Sequence, residues 1–222
     1  MTAMLEMAAT LPEALPVGVL PQADRDELTR GMRVRRFKPD EVLYHRGDTA
    51  AHANVVQEGL VKAMLFDDDG RVALVALHGP GEMFGELALF SDTPREATAI
   101  AVVPTTVVQV TRDAYWRILE RNPKACGAMF AHLGRTIQRL EERYEDLVFQ
   151  DVPGRLAKYL LEIDQQGTQL PITQDDLAAA IGSTRVTVNK LLADLERRGL
   201  IRVDRRRIEV KDRAALERGT RR

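Results

Sequence analysis

Between Phe84 and Thr98 the chain reads Phe-Gly-Glu-Leu-Ala-Leu-Phe-Ser-Asp-Thr-Pro-Arg-Glu-Ala-Thr, and its residue types suit the capture of a small anionic sugar. Gly85 lets the backbone come close to a ligand. A short helical turn starting there presents amide N–H groups to an anion. Glu86 can accept a hydrogen bond from a sugar hydroxyl, and Arg95 can hold a phosphate through charge-assisted donors.

A second stretch, Ile172 to Lys190, carries chemistry of another kind. Thr173 can cap a helix over Gln174–Ala180, with Asp175 and Asp176 complementing its N-terminal dipole. Leu177, Ala178 and Ile181 supply an inward face, and Ala179 and Ala180 let a second helix approach closely. Gly182 permits a tight turn, and Ser183-Thr184 offers a new cap for a helix over Arg185–Arg198. That helix turns Val188, Leu191, Leu192 and Leu195 inward. Its outward face begins Arg185, Val186, Asn189, Lys190. Recognition helices present their first turns to base edges, and an arginine fork can donate twice to guanine O6 and N7. Gly199 ends the helix, and Leu200–Val203 with Arg207–Val210 read as a two-stranded wing. Its tip carries Arg205 and Arg206, suited to phosphate.

These residues need elements to position them. From Arg33 to Val110 short alternating strands are punctuated by Gly, Asp and Pro, with examples at Glu41–Tyr44, Ala53–Gln57, Val61–Phe66, Ala73–Leu77 and Thr106–Val110. The run Asp67-Asp68-Asp69-Gly70 between two apolar stretches signals a hairpin, and so many short strands read as a sandwich or barrel-like roll. After Thr111 the period changes. Asp113–Arg121 is expected as a short helix, and Asn122-Pro123 starts a longer one. Cys126, Leu133, Leu140 and Leu147 recur every seven residues, interleaved by Phe130, Ile137 and Tyr144. With charged residues off this stripe, it reads as an a/d seam for a second helix. Asp151-Val152-Pro153-Gly154 breaks the pattern and marks a hinge, with an amphipathic helix over Arg155–Ile163 beyond it.

The totals fit this arrangement. The chain has 222 residues, 45% hydrophobic and 29% charged, ordinary for a soluble globular protein. The net charge of −1 is uneven: residues 151–222 hold 15 basic and 11 acidic side chains, about +4, leaving about −5 for the rest. A basic C-terminal segment suits a polyanion. One cysteine excludes an intrachain disulfide and any multi-cysteine zinc or iron–sulfur site. Haem needs a placed histidine, and His45, His52, His78 and His132 are scattered, each reading as a surface or packing residue. The start has no basic n-region and is broken by Pro12 and Pro16. No later segment has the ~18 consecutive apolar residues of a membrane span. A reducing cytoplasm is the expected compartment, with no membrane partner. No paired catalytic carboxylates, nucleophile–base arrangement or metal-ligand cluster is visible, so an enzyme is not expected.

Three motifs in order carry a resemblance: Gly85-Glu86-Leu87-Ala88-Leu89 with Pro94-Arg95-x-Ala97-Thr98, then Asp151-Val152-Pro153-Gly154-Arg155, then Ile172–Ala178 through Thr184–Lys190. Over essentially its whole length the chain resembles the cyclic-AMP receptor protein/fumarate–nitrate regulator (CRP/FNR) family of bacterial transcription regulators. The resemblance implies an α+β architecture. Residues 1–112 would form a jelly-roll-like cyclic-nucleotide-binding β-roll with an N-terminal helical segment, 113–150 the helices including a dimerisation helix, and 151–222 a winged helix-turn-helix. It implies a homodimer that binds an inverted repeat of double-stranded DNA and meets RNA polymerase. Cyclic AMP is the first effector to expect, another nucleotide the next, with no covalent cofactor, haem or iron–sulfur cluster.

By the same resemblance Glu86 meets the ribose 2′-hydroxyl and Arg95 the cyclic phosphate, lined also by amides of Gly85, Glu86, Leu87 and Ala97. The DNA-binding set is Thr173, Gln174, Ser183, Thr184, Arg185, Val186, Thr187, Asn189, Lys190, Arg205 and Arg206. Four positions depart from the family, in three places. Glu96 stands where Ser or Ala is usual. Leu140 and Glu141 stand where Thr and Ser contact adenine. Val186 replaces a glutamate that would accept from cytosine. Two alternatives follow: a ligand-independent regulator with a vestigial pocket, and a cyclic-nucleotide-binding module acting on protein partners.

Overall fold

The computed structural model describes residues 21–165, 172–204 and 207–219. The wing-tip residues Arg205 and Arg206 lie outside them, as do most of the expected N-terminal segment and the loop after α4 (Val152–Gln165).

The roll has eight strands: β1 Met32–Phe37, β2 Val42–Tyr44, β3 His52–Glu58, β4 Val61–Phe66, β5 Val72–His78, β6 Met83–Phe84, β7 Thr98–Ala101 and β8 Thr105–Thr111. One sheet has the order β1-β8-β3-β6 and the other β2-β7-β4-β5. The two-residue side-chain period of a strand explains the layering. Ala53 and Val55 of β3 join Val108 and Val110 of β8 in a core completed by Leu28, Tyr115, Ile118 and Met129 from helices. The alternate residues Val56 and Val107 face the other way, against Phe37, Val61, Phe84, Ala99 and Ala101. Strands β3 and β8 are thus covered on both faces.

Turn chemistry sets the connections. Asp40 takes a left-handed φ of 63°, which Asp tolerates better than most residues. Asp67 Oδ1 accepts from the amides of Asp69 and Arg71 at 3.1 and 2.7 Å, closing the β4–β5 hairpin.

Among the described residues three helices accompany the roll: α1 Gln22–Arg30, α2 Arg112–Arg121 and α3 Pro123–Phe149. Thr111 caps α2 by accepting from the Ala114 amide. The 27-residue α3 is the longest helix among the described residues. The seven-residue stripe on it splits in two. Cys126 and Leu133 are half-buried against the roll core, so they are not simply outward-facing as the heptad implied. Phe130, Ile137, Leu140, Tyr144 and Leu147 remain exposed. Seven residues are slightly short of two helical turns, so one stripe drifts from a tertiary contact to solvent along the helix.

The chain divides into two compact units, one running to Leu65 and from Val75 to Ile137, the other comprising Phe66–Leu74 and Gln138 onward. In the second, α4 begins at Val152, with Asp151 Oδ1 accepting from the Gly154 amide at 2.8 Å. The pair α5 Gln174–Ile181 and α6 Arg185–Arg197 follows, then β9 Ile201–Asp204, antiparallel to β10 Arg207–Val210, and α7 Arg213–Gly219. Helix α7 was not expected; it buries Leu216 and pairs Arg213 with Asp164 at 3.3 Å.

Candidate functional site

Gly85 ends β6 in the left-handed conformation, φ 65° and ψ 27°, and opens a 3-10 turn over Glu86–Leu89. A Cβ built on it would lie 2.5 Å from Arg95 Nη1 and 3.1 Å from the Tyr44 hydroxyl, so close approach as well as φ demands glycine. The turn is fastened from α2: Trp116 Nε1 donates to Leu89 O at 2.6 Å, and Arg112 Nε to Ala88 O at 2.8 Å. Arg112 also pairs with Asp92 and donates to Ser91 O.

Arg95 is only 5% exposed. Its Nη1 donates to Gly85 O at 3.1 Å and its Nη2 to His52 O at 2.7 Å. The guanidinium lies 4.1 Å from the centre of the Tyr44 ring. Its buried Nε has no hydrogen-bond partner among the described residues, where Arg95 makes no ion pair either. Burial lowers its pKa from the usual arginine value, though the nearby Tyr44 and Asp48 oppose this. A buried cation held by carbonyl dipoles and a π face, with Asp48 nearby but no ion pair among the described residues, can receive an anion. The residues present therefore fit a phosphate.

Two neighbouring side chains are held neutral by burial. Burial raises the Tyr44 phenol to about 12, so it stays a neutral donor. Burial, with the charge of Arg95 next, lowers His52 to about 4. Neutral His52 can then accept at Nε2 from Gln109 Nε2, 2.7 Å away. Glu96 is exposed while Arg95 beside it is buried, in the bend that precedes β7. Ala97 is half-buried and Leu87 is exposed.

Glu86 is 12% exposed at its side chain, and its Oε1 lies 3.9 Å from Nε2 of His132 on α3. His132 is itself buried. Leu140 and Glu141, expected near a nucleotide base, lie beyond Ile137 in the second unit, and both are exposed. Tyr44 is not singled out as a site residue in the sequence, and His132 reads there only as a surface or packing residue. The first sits in an apolar strand and the second among core-facing positions, so neither spacing pointed to the turn at Gly85.

In the second unit Thr173 caps α5 by accepting from the Asp176 amide at 3.1 Å, and Asp176 Oδ2 in turn accepts from the Thr173 amide at 3.2 Å. Gly182 turns the chain with φ 62°. Thr184 then caps α6, accepting from the Thr187 amide at 3.2 Å. Arg155 secures the pair, donating from Nε to Ile181 O at 2.8 Å. Val188 and Leu192 are buried, as expected, and Leu191 and Leu195 half-buried. Arg185, Val186 and Lys190 are exposed on the opposite side, with Thr184. Thr173, Gln174, Ser183 and Thr187 are half-buried beside them. Asn189 departs from expectation: it is half-buried, and its Oδ1 is buried without a partner among the described residues.

Residues 34–122 match the cyclic nucleotide-binding domain family, and residues 154–219 match the Crp-like helix-turn-helix domain. Across 203 residues, 87% of this chain and 91% of the relative, it is 33% identical to a CRP-like cAMP-activated global transcriptional regulator of Mycobacterium tuberculosis. The chain belongs to the CRP/FNR family of transcription regulators. A CRP-family regulator of Thermus thermophilus superposes with a TM-score of 0.71 at 32% identity, covering 84% of this chain and 96% of that one. FixK2 from Bradyrhizobium japonicum, 24% identical, has the same fold with a TM-score of 0.78 over 85% of this chain and 96% of its own. The α+β architecture expected from the motifs is the one observed. Among the described residues of this CRP/FNR chain no group of three His, Cys, Asp or Glu could hold a metal ion. None of their helices is long and apolar enough to cross a membrane.

Proposed function

We infer that this CRP/FNR chain is a homodimeric regulator that binds an inverted-repeat operator when cyclic AMP occupies the pocket at Gly85, Glu86 and Arg95. The observation that carries the reading is Arg95: a buried guanidinium that makes no ion pair among the described residues, set against a left-handed glycine, in the same chain as an exposed helix face. Burying a cation without a counter-charge costs free energy, and a bound cyclic phosphate would recover it. The relatives' names, cAMP-activated in the Mycobacterium tuberculosis and Escherichia coli proteins, support the same effector.

On this reading the exposed part of the α3 stripe, Phe130, Ile137, Leu140, Tyr144 and Leu147, seats the same helix of a second copy. Arg185, Val186 and Lys190 read bases. Thr173, Gln174, Ser183, Thr184 and Thr187, with Arg205 and Arg206, meet the backbone. The DNA-bound dimer works with RNA polymerase in the cytoplasm. Titrating the purified chain with cyclic AMP in a calorimeter tests the pocket: saturable heat from wild type and none from Arg95→Ala is the expected result. No heat from wild type would favour the ligand-independent reading.

A further inference from the structure

We propose that Tyr44 is a further effector-contacting residue, its hydroxyl donating to one exocyclic oxygen of the cyclic phosphate while Arg95 holds the other. The proposal rests on the cyclic-nucleotide reading of this pocket. Two donors converge on Gly85. A Cβ built there would lie 2.5 Å from Arg95 Nη1 and 3.1 Å from the Tyr44 hydroxyl oxygen, so these two atoms are at most 5.6 Å apart, the two distances laid end to end. The guanidinium lies 4.1 Å from the centre of the Tyr44 ring, which sets the phenol against the group that receives the anion.

The hydroxyl is available. Among the described residues it makes no hydrogen bond, and the contacts of Tyr44 are with the Phe84 ring and the Arg95 guanidinium. Tyr44 is half-buried, and its oxygen is not among the polar atoms sealed without a partner, whereas Arg95 Nε is. A partly desolvated hydroxyl with no partner is unfavourable, and an oxyanion beside it would relieve that.

The chemistry divides between the two side chains. A guanidinium has five N–H donors, and Arg95 uses two of its own on Gly85 O and His52 O. It supplies the positive charge. Tyr44 supplies a neutral donor: burial raises the phenol to about 12, so it keeps its proton and adds no second anion beside the phosphate. A phenol O–H donating to a charged oxygen makes a short, charge-assisted bond. Phenylalanine would keep the π face against Arg95 and offer the ligand nothing, so the hydroxyl itself is what recognises the phosphate.

The test is calorimetry on wild type and Tyr44→Phe with cyclic AMP and its two phosphorothioate diastereomers, in which sulfur, a weaker acceptor, replaces the equatorial or the axial exocyclic oxygen. Tyr44→Phe is expected to melt as wild type does and to bind cyclic AMP about tenfold more weakly, the loss of one hydrogen bond to a charged group. For one diastereomer the substitution should again lower affinity by about tenfold. For the other, whose sulfur stands where Tyr44 donates, it should change little. A general loosening of the pocket would weaken both diastereomers alike, so the comparison separates contact from support. Unchanged affinity for cyclic AMP in Tyr44→Phe, or equal losses for the two diastereomers, would overturn the contact while leaving the pocket at Arg95 intact. If wild type binds none of the three, the cyclic-nucleotide reading fails and this inference with it.

Discussion

Arg185, the first residue of α6, donates from Nη1 to Asp175 Oδ2 of α5 at 3.1 Å. Both side chains are well exposed, 61% and 64%, so the pair contributes at most about 1 kcal/mol. A guanine edge accepting two hydrogen bonds offers more, about 1–3 kcal/mol of discrimination. On the proposed reading the ion pair holds the arginine ready for DNA without preventing its transfer. Arg185→Ala is expected to cost ~1–3 kcal/mol and relax preference at one base pair. Asp175→Asn should strengthen binding on every sequence, since it removes an anion facing a polyanion. Fluorescence anisotropy with specific and scrambled duplexes checks both.

Val186 is 64% exposed and can only pack, a thymine methyl being the natural partner. Selection from a randomised duplex library should give wild type little preference at a C·G pair there, and Val186→Glu should gain one. Full C·G preference by wild type would show that the register of α6 on DNA is different.

For assembly the split stripe decides which substitution is informative. Leu133 packs on the roll core, so a charge there would damage the fold as well as any interface. Ile137 is 57% exposed and Tyr144 is 71% exposed. Ile137→Asp is expected to leave melting of the roll little changed, yet produce monomers that no longer bind an inverted repeat. Sedimentation velocity reads the mass, and a monomeric wild type would remove the dimer from the account.

Gly85→Ala is a strong test of the pocket because nothing but a methyl is added. The methyl meets Arg95 Nη1 at 2.5 Å, and φ +65° is strained for alanine, so a loss of about 1–2 kcal/mol in stability and a loss of nucleotide binding are expected. Tyr44→Phe keeps the ring under Arg95 and removes only the hydroxyl. Its nucleotide affinity should fall less than that of Gly85→Ala.

His52 fixes a pH dependence. Its pKa is lowered to about 4 in the fold by burial, then by Arg95, from an unfolded value near 6.5. Between those values the unfolded chain binds more protons, so stability falls as pH drops from about 6.5 towards 4. Melting temperatures across that range should fall more steeply for wild type than for His52→Gln.

Much of this was legible in the sequence because the signals were local. Gly85, Gly182, Thr173 and Thr184 announce their own turns and caps, and the wing strands emerge within one residue of where their alternation put them. What stayed hidden depends on tertiary contacts between distant segments. Tyr44 and His132 reach the turn at Gly85 from 41 residues before and 47 after it. The drift of Cys126 and Leu133 into the core follows from where α3 crosses the roll, which a heptad count does not specify.

The central claim is that the pocket governs the DNA-binding face. The direct measurement is affinity for an inverted-repeat duplex, obtained by library selection in the presence of cyclic AMP and read by anisotropy with and without the nucleotide. Wild type should bind at least about tenfold tighter with cyclic AMP, a coupling within the usual range for linked sites, and Arg95→Ala should show no such gain. Equal wild-type affinity with and without saturating cyclic AMP would contradict the account.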